Sequence, residues 1–145
     1  MAQITLRNAQ TKDPVPTRRL LQLARCTVKY LKIREQGIVT ITFVSAPCMR
    51  VLNKRFLNHD WVTDVLSFRY EGNQHIKSPI IGEILIAPSE ARNYARKHNI
   101  PYKEELARYV AHGLLHWIGY DDKTQREQKR MRSLENRLLN GCGDF

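Results

Sequence analysis

Two strand-like runs, Val65–Tyr70 and Ile80–Ala87, are separated only by the polar stretch Glu71–Pro79. A parallel return between neighbouring strands needs a dozen or more residues, usually a helix, so this gap admits a hairpin or a long loop instead. The earlier strand-like runs, Ile4–Asn8 and Ile38–Val44, stand farther apart, with a helical pattern between them. A chain that combines both kinds of connection predicts a mixed sheet.

The helical patterns have identifiable ends. Asp13-Pro14-Val15-Pro16 breaks the chain, and Thr17 can cap a helix in which Leu20, Leu21, Ala24, Val28 and Leu31 recur at helical spacing. Gly37 is read as its end. Ser45 and Pro47 open a second helix carrying Met49, Leu52 and Phe56. Pro88-Ser89 starts a short helix through His98, and Pro101 a longer one through about Trp117, stopped by Gly119. A last helix from about Thr124 to Leu139 carries Met131, Leu134 and Leu138 on one face. The expectation for residues 1–145 is a single α+β (α/β-like) domain, a small four-stranded mixed sheet covered by one layer of about five helices.

Cys26, Cys48 and Cys142 are odd in number and show no paired C-x-x-C spacing, which argues against a disulfide framework and a cysteine-based zinc knuckle. No apolar run approaches the length that spans a bilayer, and the N-terminus lacks a secretory pattern, so a soluble protein of a reducing compartment is expected. The net charge of +10 is uneven, with +8 in residues 1–60 and +2 in the remainder. Such an excess suits a polyanionic partner, nucleic acid first and an anionic membrane second, or is simply a basic soluble surface.

The sharpest chemical signal runs from His112 to Asp122, His-Gly-Leu-Leu-His-Trp-Ile-Gly-Tyr-Asp-Asp. Residues four apart share a helix face, so the His112 and His116 imidazoles can reach one ion. Gly119 permits the left-handed turn that brings Asp121 or Asp122 back toward them. The plainer alternative is a hydrogen-bonded core histidine. Zinc peptidases share the histidine spacing but place a glutamate after the first histidine as general base, and here that position is Gly113. Upstream, Asn53, Asp60, Thr63, Asp64 and Ser67 flank a helix-to-strand passage; turn formation by Thr63 or Asp64 and a solvated helix position for Asn53 account for them equally well. Tyr109 and Trp117 read as core rather than as a base-stacking platform.

The segment His112–Asp122 resembles the H-G-x-L-H-x-x-G-Y-D-H signature of the YbeY endoribonuclease family. Thr63-Asp64-Val65-Leu66-Ser67-Phe68 matches that family's second signature, and Gly82-Glu83-Ile84 is similar to its Gly-Asp-Ile. The resemblance covers nearly the whole chain. It implies a small mixed sheet covered by helices and a metal-dependent hydrolase that cleaves single-stranded RNA in ribosomal RNA maturation and ribosome quality control. The implied ligands are His112, His116 and Asp122, and the implied ion is zinc. Asp64 and Ser67 would position substrate or water, and Lys54, Arg55 and Arg69 would contact phosphates.

The chain departs from the family pattern twice. Asp122 stands where the third ligand is normally histidine, and Leu57 where an arginine is usual. A carboxylate cancels one unit of the ion's charge and opens the site to other divalent ions such as iron(II). The partners implied are single-stranded RNA, a ribosomal RNA precursor or the small ribosomal subunit, in the cytoplasm, with no membrane and no small organic cofactor. A non-catalytic RNA- or ribosome-associated factor derived from such an enzyme is the alternative, and a zinc peptidase a remote one.

Overall fold

The computed structural model describes residues 1–70 and 79–143, so the expected loop Glu71–Pro79 falls almost entirely outside the described residues. Element order is β1 (Gln3–Asn8), α1 (Thr17–Tyr30), β2 (Ile38–Phe43), α2 (Ala46–Leu57), β3 (Val65–Arg69), β4 (Ile80–Ile86), α3 (Pro88–His98), α4 (Tyr102–Trp117) and α5 (Gln125–Cys142). The four strands form one sheet in the order β1-β2-β4-β3. β1 pairs β2 and β2 pairs β4 in parallel, whereas β3 runs antiparallel to β4. This is the mixed sheet that the short gap between the third and fourth runs demanded.

Strand alternation divides the apolar side chains between two cores. Val39, Ile41, Phe43, Ile84 and Ile86 join α1 and α4 in the main cluster. Leu66, Phe68 and Leu85 point the other way and meet Met49 and Leu52 of α2. α2 therefore lies on the opposite face of the sheet from α1 and α4, which corrects the expected single layer of helices. The sequence pattern assigned α2 an apolar stripe but could not say which face received it.

α4 is the central helix. It is buried nearly all round, from Glu105 to Val110 and again at Gly113–Leu115, as expected of a helix enclosed by other elements. α5 packs on it through Met131 and Leu138 against Ala111 and Leu115. Tyr109 and Trp117 are core residues, as read from the sequence. A full capping box at Thr124 and Glu127 starts α5.

Two local expectations change. α1 ends at Tyr30 rather than near Gly37, because Lys32 takes a left-handed conformation (φ 53°). Lys32 N–H then bonds Lys29 carbonyl, and Ile33 N–H bonds Val28 carbonyl. These are the two bonds of a Schellman motif with a lysine where glycine is usual. Cys26 and Cys142 are joined in a disulfide that ties α1 to the end of α5, with Cys48 exposed and free. An odd number of cysteines excluded a framework of several bridges but not this single one.

Candidate metal centre

The centre is built on the last turns of α4 and the sharp exit from it. Gly119 adopts φ 111°, its N–H bonds His116 carbonyl, and Tyr120 N–H bonds Leu115 carbonyl. This second Schellman closure reverses the chain within one turn. The reversal carries Asp122, not Asp121, back beneath the histidines. Asp122 Oδ2 lies 3.4 Å from His112 Nε2 and 3.2 Å from His116 Nε2. The two imidazoles stand nearly perpendicular, 4.4 Å between centroids.

One ligand atom from each of His112, His116 and Asp122 falls within 4.8 Å of the others. Two imidazole nitrogens and a carboxylate oxygen form a donor set that suits zinc, iron(II) or a similar divalent ion. The donor set fits a metal.

Glu135, on α5, was not singled out from the sequence. Its Oε2 lies 2.6 Å from His112 Nδ1, and its Oε1 accepts from Arg108 Nη1 at 3.2 Å. A carboxylate accepting the Nδ1 proton leaves Nε2 with its lone pair facing Asp122, which is the tautomer a metal ligand requires. Burial by itself would lower the His112 pKa. The Glu135 hydrogen bond and the charges of Glu135, Asp64 and Asp122 together outweigh it and hold that pKa above its ordinary value. Glu105 is buried beside the same network, and burial pushes its carboxyl above the usual range although Arg108 pulls the other way. A cavity of about 220 Å³ opens among Asp64, Glu105, Arg108, His112, Asp122 and Glu135.

Asp64 thus shares a cavity with two of the three ligand residues, while its Oδ1 accepts from Val65 N–H at 2.8 Å and from the Thr63 hydroxyl at 3.3 Å. Ser67 faces α4 differently: its hydroxyl donates to Gly113 carbonyl at 2.9 Å. Arg69 donates to Trp117 carbonyl, pairs with Glu35 at 2.9 Å and lies 4.4 Å over the Trp117 ring. Lys54 and Arg55 are exposed in the last turn of α2. Asn53 is buried rather than solvated, its amide donating to Trp61 carbonyl at 2.9 Å.

The position after the first histidine is closed to a peptidase base. A Cβ at Gly113 would meet Ile84 Cγ2 at 2.6 Å and Val65 Cγ1 at 3.2 Å, so a glutamate side chain has no room there. Among the described residues, no helix is long and apolar enough to cross a membrane.

The family model of endoribonuclease YbeY matches residues 5–143. An endoribonuclease YbeY of Thermodesulfovibrio yellowstonii is 36% identical over 103 residues, which cover 70% of this chain and 65% of that relative, just under two thirds of its length. The Bacillus subtilis protein of the same name is 33% identical over 119 residues, 77% of this chain and 76% of its own. The solution structure of TM1509 from Thermotoga maritima shares the fold, with a TM-score of 0.59 over 97% of this chain and 91% of that one at 24% identity. With nearly its whole length matched, the chain belongs to the endoribonuclease YbeY family.

Proposed function

We propose that the protein is a metal-dependent endoribonuclease that cuts single-stranded RNA, with a ribosomal RNA precursor or the small ribosomal subunit as its cytoplasmic substrate. The observation that carries the reading is the convergence of His112, His116 and Asp122 in a member of a family whose relatives are named endoribonucleases. A bound divalent ion would supply Lewis-acid polarisation of a phosphate oxygen and acidification of water.

The chain's own residues account for the rest of the chemistry. His112 and His116 would hold the ion through Nε2, and Asp122 would add an anionic oxygen. Glu135 holds the proton on His112 Nδ1 and fixes the ring's orientation. Asp64 lines the cavity with its carboxylate anchored on one oxygen, which suits it to orient water or a ribose hydroxyl beside the scissile phosphate. Ser67 acts as a positioning residue, fastening β3 to the helix that carries both histidines. Lys54 and Arg55 are exposed cations, placed to meet phosphates, with Arg55 lying 5.6 Å over the Phe56 ring. Arg69 is already engaged with Trp117 and Glu35, and serves first as a clasp on the end of α4.

The direct test is cleavage of single-stranded RNA by chelator-stripped protein, with zinc, manganese or iron(II) restored. Stripped protein and the His116→Ala variant should both lose activity by on the order of a hundredfold or more. Cleavage that persists unchanged in the His116→Ala variant overturns the reading.

A further inference from the structure

The turn between α2 and β3 displays an exposed aromatic pair. Trp61 is 55% exposed, and its ring lies stacked on His59, 4.4 Å between centroids and 11° from parallel. Phe56 and Leu57, one turn back on α2, are also exposed. Large apolar side chains exposed together in one segment mark binding surfaces.

The turn that carries the pair is held firmly. Asn53, only 1% exposed, donates through its side-chain amide to Trp61 carbonyl and accepts through its backbone from His59 N–H. Asn58 closes α2 in a left-handed conformation (φ 58°), and Asp60 pairs with Arg50 at 3.0 Å. A buried side chain is thereby spent on fixing the backbone beneath an exposed indole. Fixing an aromatic anchor before its partner arrives lowers the ordering cost of binding.

The pair also stands beside a continuous track. Asp60 and Val62, either side of Trp61, line a groove with Lys54 and Arg55. Val62 lines a second depression as well, together with Asp64, Tyr94, Lys97 and Tyr109. Asp64, Tyr94 and Tyr109 in turn line the cavity that holds His112 and Asp122. Depressions with lining residues in common thus lie between the basic end of α2 and the metal centre, with the carboxylates of Asp60, Asp64 and Glu90 among those linings, and Tyr94, at 37% exposure, adds another accessible ring.

We propose that the His59–Trp61 pair is a stacking platform for an unpaired base of single-stranded RNA, with Lys54 and Arg55 on the adjoining phosphates and the strand running past Val62 and Tyr94 to the metal centre. The occupant follows from charge and shape. Exposed cations beside flat, exposed rings are the combination by which proteins hold single strands without reading their sequence. Lys54 and Arg55 beside the pair, on a chain of net charge +10, favour a polyanion over a basic or purely apolar partner. A base inside a duplex has no free face to stack. The assignment rests on the endoribonuclease reading for the direction of the strand, but not for the stacking itself.

The chain has two tryptophans, and Trp117 is buried, so indole fluorescence quenched by nucleic acid reports Trp61. The experiment titrates chelator-treated full-length protein with a short oligoadenylate and with the same strand in duplex. Single-stranded RNA should quench the wild type, and Trp61→Ala should weaken binding about tenfold, with Trp61→Phe restoring most of it. In cleavage assays Trp61→Ala should raise KM more than it lowers kcat. Unchanged thermal unfolding of both variants shows that the fold is intact. Equal affinity of wild type and Trp61→Ala for the single strand, or equal quenching by the duplex, overturns the proposal. Quenching and Trp61-dependent binding without metal-dependent cleavage would sustain the platform while sinking the enzyme reading; cleavage with a KM indifferent to Trp61 would do the reverse.

Discussion

A single oxygen, Asp122 Oδ2, lies 3.4 and 3.2 Å from the two candidate ligand imidazoles, so the side chain at this position would set the charge and softness of a metal held there. Imidazole suits zinc, whereas carboxylate also suits magnesium and manganese. Asp122→His should therefore raise the ratio of zinc to manganese affinity, read by competition with a chromophoric chelator; an unchanged ratio would show that Asp122 is not a ligand. Glu135 acts one bond removed, through His112 Nδ1, and Glu135→Gln should weaken metal binding about 10- to 100-fold in the same assay. The histidine pair was legible from sequence because four residues on a helix fix a shared face, and Gly119 announced the turn. Sequence alone could not choose between Asp121 and Asp122, because the choice depends on how the Schellman closure exits. Glu135 was missed since it lies on another helix. A signal existed: it stands four residues after Met131 and three before Leu138, a charge inside the stripe of α5 that packs on α4. An acid at such a position needs a buried partner.

Helix α4 can reach the sheet closely only because position 113 lacks a side chain. Gly113→Ala would drive a methyl into Ile84, and overpacking of this kind costs about 1–3 kcal/mol. Alanine's better helix propensity offsets about 1 kcal/mol of that. The variant should thus be destabilised by up to about 2 kcal/mol in urea unfolding, with metal affinity falling as His112 is displaced. A stabilised variant with unchanged metal affinity would show that α4 and the sheet can separate without loss. The same closeness accounts for the absence of a peptidase glutamate here, a packing reason that no spacing rule contains. Most elements were readable because their punctuation is local: Pro16 and Thr17, Ser45 and Pro47, Pro88 and Pro101 each mark a start. The end of α1 was not, because Lys32 occupies a left-handed position where a sequence reader waits for glycine. Nor was the side of the sheet taken by α2, which is settled by the phase of Leu66 and Phe68 against Ser67 and Arg69, a long-range matter of which strand pairs with which.

Across the whole molecule, Cys26 and Cys142 join the first and last helices over a sequence separation of 116 residues. A cross-link closing so long a loop restricts the unfolded chain by about 4–5 kcal/mol in the chain-entropy account, before any enthalpic change. The bridge also anchors α5 two turns beyond Glu135, and so steadies the helix that orients His112. A chain working in a reducing compartment would instead hold these residues as thiols. Oxidised and reduced protein should therefore differ in thermal unfolding. Reduction, or Cys26→Ser, should lower Tm by about 10 °C, since each kcal/mol shifts a domain of this size by roughly 2–4 °C. Cys48→Ser should leave Tm unchanged because Cys48 is exposed and free. A Tm indifferent to reductant in the wild type would show that the bridge contributes nothing to stability. Alkylation of thiols in freshly lysed cells, followed by mass measurement, then tells which of the two states the working protein occupies.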